Sequence, residues 1–239
     1  VTAESSEDLK ASFEKLAAEA GVPLVFAGNN KVSGVQVHSS ATSFYTRTDR
    51  WGDLRLVTPL VGSHQATNTS LAVAVLEELP TPLIPEASEV IRGIAKVKYH
   101  GRDEVRVIEG LTWIFDVAHN PAGMHSLTDT LGRLCLPSPL VGLVSILKDK
   151  DWKVMLPPLL TRIETVVLTQ APSVSPQNLW DPQEAAEQIM TDSHVEVEED
   201  FTRALQKAAG MAGNGSVVVT GSVHTVGSAM RLLGLDPLG

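Results

Sequence analysis

Apolar positions along the first hundred residues change their period twice. Leu9, Phe13, Leu16 and Ala20 recur at spacings of three and four, which predicts an amphipathic helix over residues 7–20. Ser5 or Ser6 can cap it and Gly21 can end it. Residues 22–26 form a short apolar run that reads as a strand, and Gly28-Asn29-Asn30 reads as a turn. The rhythm then becomes alternating, as in Val35-Gln36-Val37-His38 and Phe44-Tyr45-Thr46. This predicts strands over 32–38, 42–47 and 54–58 in a small antiparallel sheet, with 49–53 as a connecting turn. After Gly62 the helical period returns as far as about Leu79. Its apolar side is assigned to Leu71, Val75, Leu76 and Leu79, with His64 and Asn68 extending the same stripe. Pro80, Pro82 and Pro85 interrupt the chain before a further short helix over 86–94.

Beyond residue 104 short apolar runs alternate with helical segments. Strands are expected at 105–109, 112–117, 140–146, 164–169, 194–198 and 216–220. Helices are expected at 122–134, 151–161, 182–190, 201–211 and 224–233. Such alternation predicts an α/β domain with a mainly parallel sheet. Runs such as Leu140-Val141-Gly142-Leu143-Val144 suit strands covered on both faces. Asp181, Pro182 and Glu184 make a helix start, whereas Pro157-Pro158 should kink or break the 151–161 helix. The polar segment 97–104 is the expected boundary, giving domains 1–98 and 99–239.

Composition narrows the class. Hydrophobic residues make up 43% and charged residues 20% of 239, as expected of a folded chain. A formal charge of −9 argues against broad nucleic-acid binding, while leaving room for a locally positive pocket. No apolar run is long enough to span a membrane. The single cysteine, Cys135, excludes an internal disulfide and fits a reducing, cytoplasmic setting. Lying between Leu134 and Leu136, it reads as a core thiol. The chain opens almost directly in a helix with no signal-like leader, so a fragment or trimmed product is expected.

Five segments could carry chemistry. In Asp116-Val117-Ala118-His119-Asn120-Pro121 an apolar strand ends in an acid, a histidine and an amide, where α/β sheets bind ligands. The alternative is a tight turn capping the next helix. Gly101-Arg102 places a guanidinium fork on the boundary segment, for phosphate or for pairing with Asp103 or Glu104. Gly62-Ser63-His64-Gln65 with Asn68 offers amides and polar side chains at a helix start, or simply a capped helix with a core histidine. Thr220-Gly221-Ser222 with Gly227 resembles an anion loop or a tight strand–helix turn with Gly227 for close packing, and Lys148-Asp149-Lys150-Asp151 a charged rim or a solvated turn. No metal-ligand spacing, GxSxG or GxxxxGK[ST] occurs.

In this order the segments resemble folylpolyglutamate synthases and bifunctional dihydrofolate synthases of the Mur-ligase superfamily. The resemblance implies that 1–98 is the tail of a central ATPase domain lacking its phosphate loop, and 99–239 a Rossmann-like C-terminal domain. It implies that Asn68, Arg102, Asp116 and His119 serve ATP, with Arg102 and His119 acting near the reacting groups. His64, Gln65, Asn120, Lys148, Asp149 and Ser222 would flank substrate or cleft. The implied reaction phosphorylates a carboxylate of dihydropteroate or a reduced folate with ATP, and the amine of L-glutamate then displaces phosphate. The Mg²⁺ ligands would belong to an upstream ATPase half, so the isolated chain is expected to be inactive. The family's Trp-Pro before the Gly-Arg pair is Tyr99-His100 here, and an arginine usual two residues after the last glycine is shifted to Arg231. The alternatives are a Mur-type ligase of cell-wall precursors and a non-catalytic nucleotide- or pterin-binding module.

Overall fold

The computed structural model describes residues 1–3, 6–27 and 31–236. The candidate cap Ser5 and the turn at Gly28-Asn29-Asn30 lie outside them. The chain divides into two compact units, Val1–Val97 and Lys98–Gly239.

The first unit begins with α1 (Glu7–Ala20), which starts after Ser6 and ends at Gly21 with φ 65. None of its residues is buried, and Leu9, Phe13 and Leu16 stay exposed. The expected strand at 22–26 does not form. Phe26 makes a single bridge to Thr2, because this segment finds one residue to pair with and no partner strand. Strands β1 (Val32–His38), β2 (Ala41–Thr48) and β3 (Gly52–Thr58) make an antiparallel sheet in that order. Helices α2 (Ser63–Glu77) and α3 (Ala87–Ile94) follow.

The face of α2 assigned from apolar residues is only partly the packed one: Leu76 meets the core of the first unit, but the stripe through Leu71 and Val75 does not. The helix buries Ala66, Thr69, Ser70 and Val73, while Val75 is exposed. Small residues allow the close approach, and the Ser70 hydroxyl is satisfied by Thr46 Oγ1 at 2.7 Å inside the contact. His64, Asn68, Leu71 and Val75 therefore line the less buried side.

The second unit is the expected α/β domain. Its sheet comprises β4 (Glu104–Ile108), β5 (Leu111–Phe115), β6 (Leu140–Val144), β7 (Thr165–Leu168), β8 (His194–Val197) and β9 (Ser216–Thr220). Their spatial order is β4-β5-β9-β6-β7-β8. Only the β4–β5 pair is antiparallel. Helices α4 (Pro121–Arg133), α5 (Trp152–Leu160), α6 (Pro182–Gln188), α7 (Phe201–Ala212) and α8 (Val223–Leu232) cover it. Successive strand residues point to opposite faces. Thus Trp113, Phe115, Val217 and Val219 pack with α7 and α8, while Ile114 and Val218 pack with α4, α5 and α6.

Two further expectations are corrected here. Helix α5 runs unbroken through Pro157 and Pro158. The donors missing at Pro157 and Pro158 would have served the carbonyls of Lys153 and Val154, exposed residues that water can reach, and the buried Met155, Leu156, Leu159 and Leu160 hold the helix to the sheet. Cys135 is exposed, not in the core, because it lies in the loop between α4 and β6 after the helical period has ended.

Candidate active site

The strand-tip chemistry is assembled by Asp116, the first residue after β5. Its carboxylate is 7% exposed and accepts two backbone N–H groups, from Asp103 at 3.0 Å and from Ala118 at 2.8 Å. One bond draws in the arm that precedes β4, and the other shapes the loop that leads to His119. Gly101 completes the stitch, its carbonyl accepting from the Val117 N–H at 2.9 Å. Only glycine fits there: φ is 71, and a Cβ would lie 3.0 Å from Val117 Cγ1 and 3.2 Å from Val226 Cγ1. The result brings Arg102, Asp116 and His119 together. Burial pushes the Asp116 pKa up to about 6, against the two backbone N–H bonds first and then the nearby Arg102 and His119, which favour the carboxylate.

Sequence reasoning missed Asp103. It is fully buried at φ 49 and accepts a hydrogen bond from Thr130 Oγ1 at 2.9 Å. Burial first, and then the neighbouring Asp116, hold its carboxyl well above the usual carboxylate range. A buried acid between Arg102 and Glu104 looks like a surface charge in sequence, so no signal marked it. Glu104 was weighed only as a partner for Arg102. It instead accepts from Gly101 N–H at 2.9 Å, pairs with Arg106 at 2.6 Å and sits 3.1 Å from His100 Nδ1. These donors, against the cost of partial burial, hold its carboxyl below the usual range.

The guanidinium of Arg102 lies 5.3 Å from the centre of the Tyr99 ring. A cavity of about 520 Å³ opens beside it, with Tyr99, His100 and Arg102 on the arm and Val117, Val226 and Met230 beneath. His119 is exposed, and its Nδ1 lies 3.0 Å from the Val117 carbonyl. That contact makes Nδ1 the protonated nitrogen of the neutral ring and leaves Nε2 as the outward acceptor.

Two other candidates, Asn120 and Ser222, cap helices. Asn120 caps α4, its Oδ1 accepting from Gly123 N–H at 2.8 Å. Ser222 is 1% exposed and caps α8, bonded to Thr225, so it is not a cleft hydroxyl. Gly221, at φ 106, is required because a Cβ would meet Ser145 O at 2.5 Å. Gly227, expected to permit close packing, has nothing nearer than 3.8 Å to an added Cβ. Lys148 lines a separate cavity of about 470 Å³ with Trp152, Gln170 and Glu184, beyond the ends of β6 and β7. Asp149 is exposed and pairs with Lys150 at 2.8 Å. In the first unit Asn68 donates to Gln65 Oε1 at 3.3 Å, and Gln65 Nε2 lies 2.9 Å from His64 Nε2. Gln65 is buried and Asn68 exposed. Among the described residues, no group of three or more His, Cys, Asp or Glu side chains is placed to hold a metal ion. No helix among them is long and apolar enough to cross a membrane.

A mainly parallel sheet with one antiparallel edge strand and helices on both faces is the fold of the Mur-ligase C-terminal domain class. Residues 101–223 match the family model for the Mur ligase, glutamate ligase domain, and the chain belongs to that family. It is 32% identical over 196 residues to the dihydrofolate synthase/folylpolyglutamate synthase of Mycobacterium tuberculosis, covering 75% of this chain and 40% of that relative. A Bacillus subtilis protein of the same description is 29% identical over 200 residues, covering 80% and 44%. The solved Mycobacterium tuberculosis folylpolyglutamate synthase complexed with ADP superimposes with a TM-score of 0.84 at 28% identity, over 98% of this chain and 55% of that one. The chain spans about half the length of the relatives it matches.

Proposed function

We propose that this chain is the C-terminal part of an ATP-dependent folate:L-glutamate ligase of the cytoplasm. The carrying observation is the Asp116 stitch, which sets Arg102 and His119 on one strand-tip edge. In this reading residues 1–98 are the tail of an ATPase domain and 99–239 the C-terminal domain. Arg102 neutralises charge on the phosphoryl oxygens during transfer to the folate carboxylate, and His119 Nε2 meets the phosphates or the reacting carboxyl. Asp116 holds both elements and offers its remaining acceptor capacity to a ribose hydroxyl. Asn68 supplies a polar edge for the purine, and Lys148 with Asp149 lies toward the incoming amino acid. Attack of the glutamate amine on the acyl phosphate then forms the amide and releases phosphate. No cluster of His, Cys, Asp or Glu among the described residues fits Mg²⁺, and its ligands are assigned to the upstream ATPase half.

The chain contains no GxxxxGK[ST] motif, and alone it should not glutamylate folates. Fusing it behind the N-terminal half of a relative should restore glutamate-dependent ADP release with dihydropteroate or a reduced folate. In that fusion, Arg102→Ala should lower kcat by roughly 10²–10³-fold, as loss of a charge-stabilising donor does. A folded fusion that turns over with no folate would overturn the assignment. Turnover with UDP-muramyl peptides instead would move it to the cell-wall ligases.

A further inference from the structure

We propose that α1 and the short strand pair flanking it form a docking surface for the upstream ATPase half of the ligase. That half contributes a strand beside Phe26 and apolar side chains over Leu9, Phe13 and Leu16. The ligase reading supplies only the partner's identity; the surface itself is a property of this chain.

Three observations carry the proposal. First, Thr2 N–H donates to the Val25 carbonyl at 2.8 Å, and Ala27 N–H to the Thr2 carbonyl at 2.7 Å. The bridge between Thr2 and Phe26 is parallel, and with α1 between them it makes the centre of a β-α-β unit. Parallel pairs belong to sheets covered on both faces, and two strands alone are marginal in water at best. This pair is therefore the edge of a larger sheet. With Val25 and Ala27 bonded to Thr2, alternation turns the Phe26 N–H and C=O to the opposite edge, where no described residue bonds them.

Second, α1 carries an apolar stripe left open. Leu9, Phe13 and Leu16 share one side of the helix and are 48%, 38% and 59% exposed, and no residue of α1 is buried. Val22, just past the helix end, is exposed as well. Only Lys10 and Ala17 of α1 are half-buried, and Lys10 Nζ lies 6.0 Å from the centre of the Phe26 ring. The helix thus meets the strand pair along one flank and leaves the neighbouring apolar flank bare. Third, about half the length of each relative lies outside the part this chain matches. A polypeptide of that size can supply both a strand and a covering apolar layer, whereas a short peptide supplies only the strand. The surface is continuous, so association does not depend on a peptide bond between the halves.

The test compares the 239-residue chain with its fusion to the N-terminal half of a relative, carrying a protease site at the junction. By hydrogen exchange, α1 amides should exchange at least about tenfold more slowly in the fusion than in the chain alone. After cleavage the two halves should sediment together. Leu16→Asp should leave the melting temperature of the isolated chain unchanged, since no residue of α1 is buried there, yet separate the cleaved halves. Lys15→Asp, on the far side of the helix, should leave melting and sedimentation as they are. Exchange of α1 as fast in the fusion as in the chain, parting of the wild-type halves on cleavage, or Leu16→Asp halves that stay together would each overturn the proposal. So would a chain that sediments alone as a dimer and that Leu16→Asp returns to a monomer, because the face would then belong to a second copy. Turnover is not read. Halves that stay joined but glutamylate nothing would sink the ligase reading alone, and an active fusion that parts on cleavage would sink this proposal alone.

Discussion

At the scale of single residues, the organising feature is a pair of buried acids. Asp103 and Asp116 both have their protonation raised by burial, Asp116 to about 6. The folded state therefore retains protons that the unfolded chain releases near the ordinary value of 3.8. The contribution of Asp116 is fully present below that value and is lost as pH rises through about 6, and that of Asp103, raised in the same direction, likewise falls as pH rises. Asp103→Asn keeps an acceptor for Thr130 and removes one member of the pair. The melting temperature of the wild type relative to this variant should fall as pH is raised from 4.5 to 7.5, by calorimetry. Parallel profiles would mean the two carboxyls are not linked. Asp116 and His119 were legible in sequence because a strand ending in Asp-x-x-His-Asn-Pro is a strong local pattern. Asp103 and His100 were not, because their roles depend on a left-handed turn and on Glu104 folding back, neither of which has a periodic signature.

Among the elements, the strands and helices of the second unit were read nearly to the residue, since hydrophobic runs buried on both faces leave little choice. Helix α2 was oriented correctly only at Leu76, because polarity and burial part company along the rest of it. Thr69 and Ser70 go inside with their hydroxyls satisfied or packed, and the larger aliphatic Val75 stays out. The last strand–helix connection shows how similar glycines differ. Gly221→Ala must place a Cβ against the Ser145 carbonyl at a positive φ, and should cost at least about 2 kcal/mol in denaturant unfolding. Gly227→Ala sits inside α8 with open space, and should stabilise by about 0.5–1 kcal/mol through helix propensity. A destabilising Gly227→Ala would show that the helix needs the gap itself.

Across the whole molecule, the two units are unequal. The first is centred on six buried apolar side chains, Phe44, Leu54, Leu56, Ala66, Val73 and Val90, whereas the second has a continuous core on each face of its sheet. Amide protons of α1 and of the three-stranded sheet should therefore exchange faster than those of β5, β6 and β9, by native-state hydrogen exchange. Uniform protection would contradict that ranking. The sequence pattern predicted both sheets, but it could not show that α1 would bury nothing, because an amphipathic stripe reports a capacity to pack and not a partner. Cys135 adds a practical consequence. It is the sole thiol, it is exposed, and it precedes β6 on the rim opposite the strand tips. A maleimide linker would therefore attach at one defined point on that rim, tethering the chain to a sensor surface in a single orientation with no engineered cysteine.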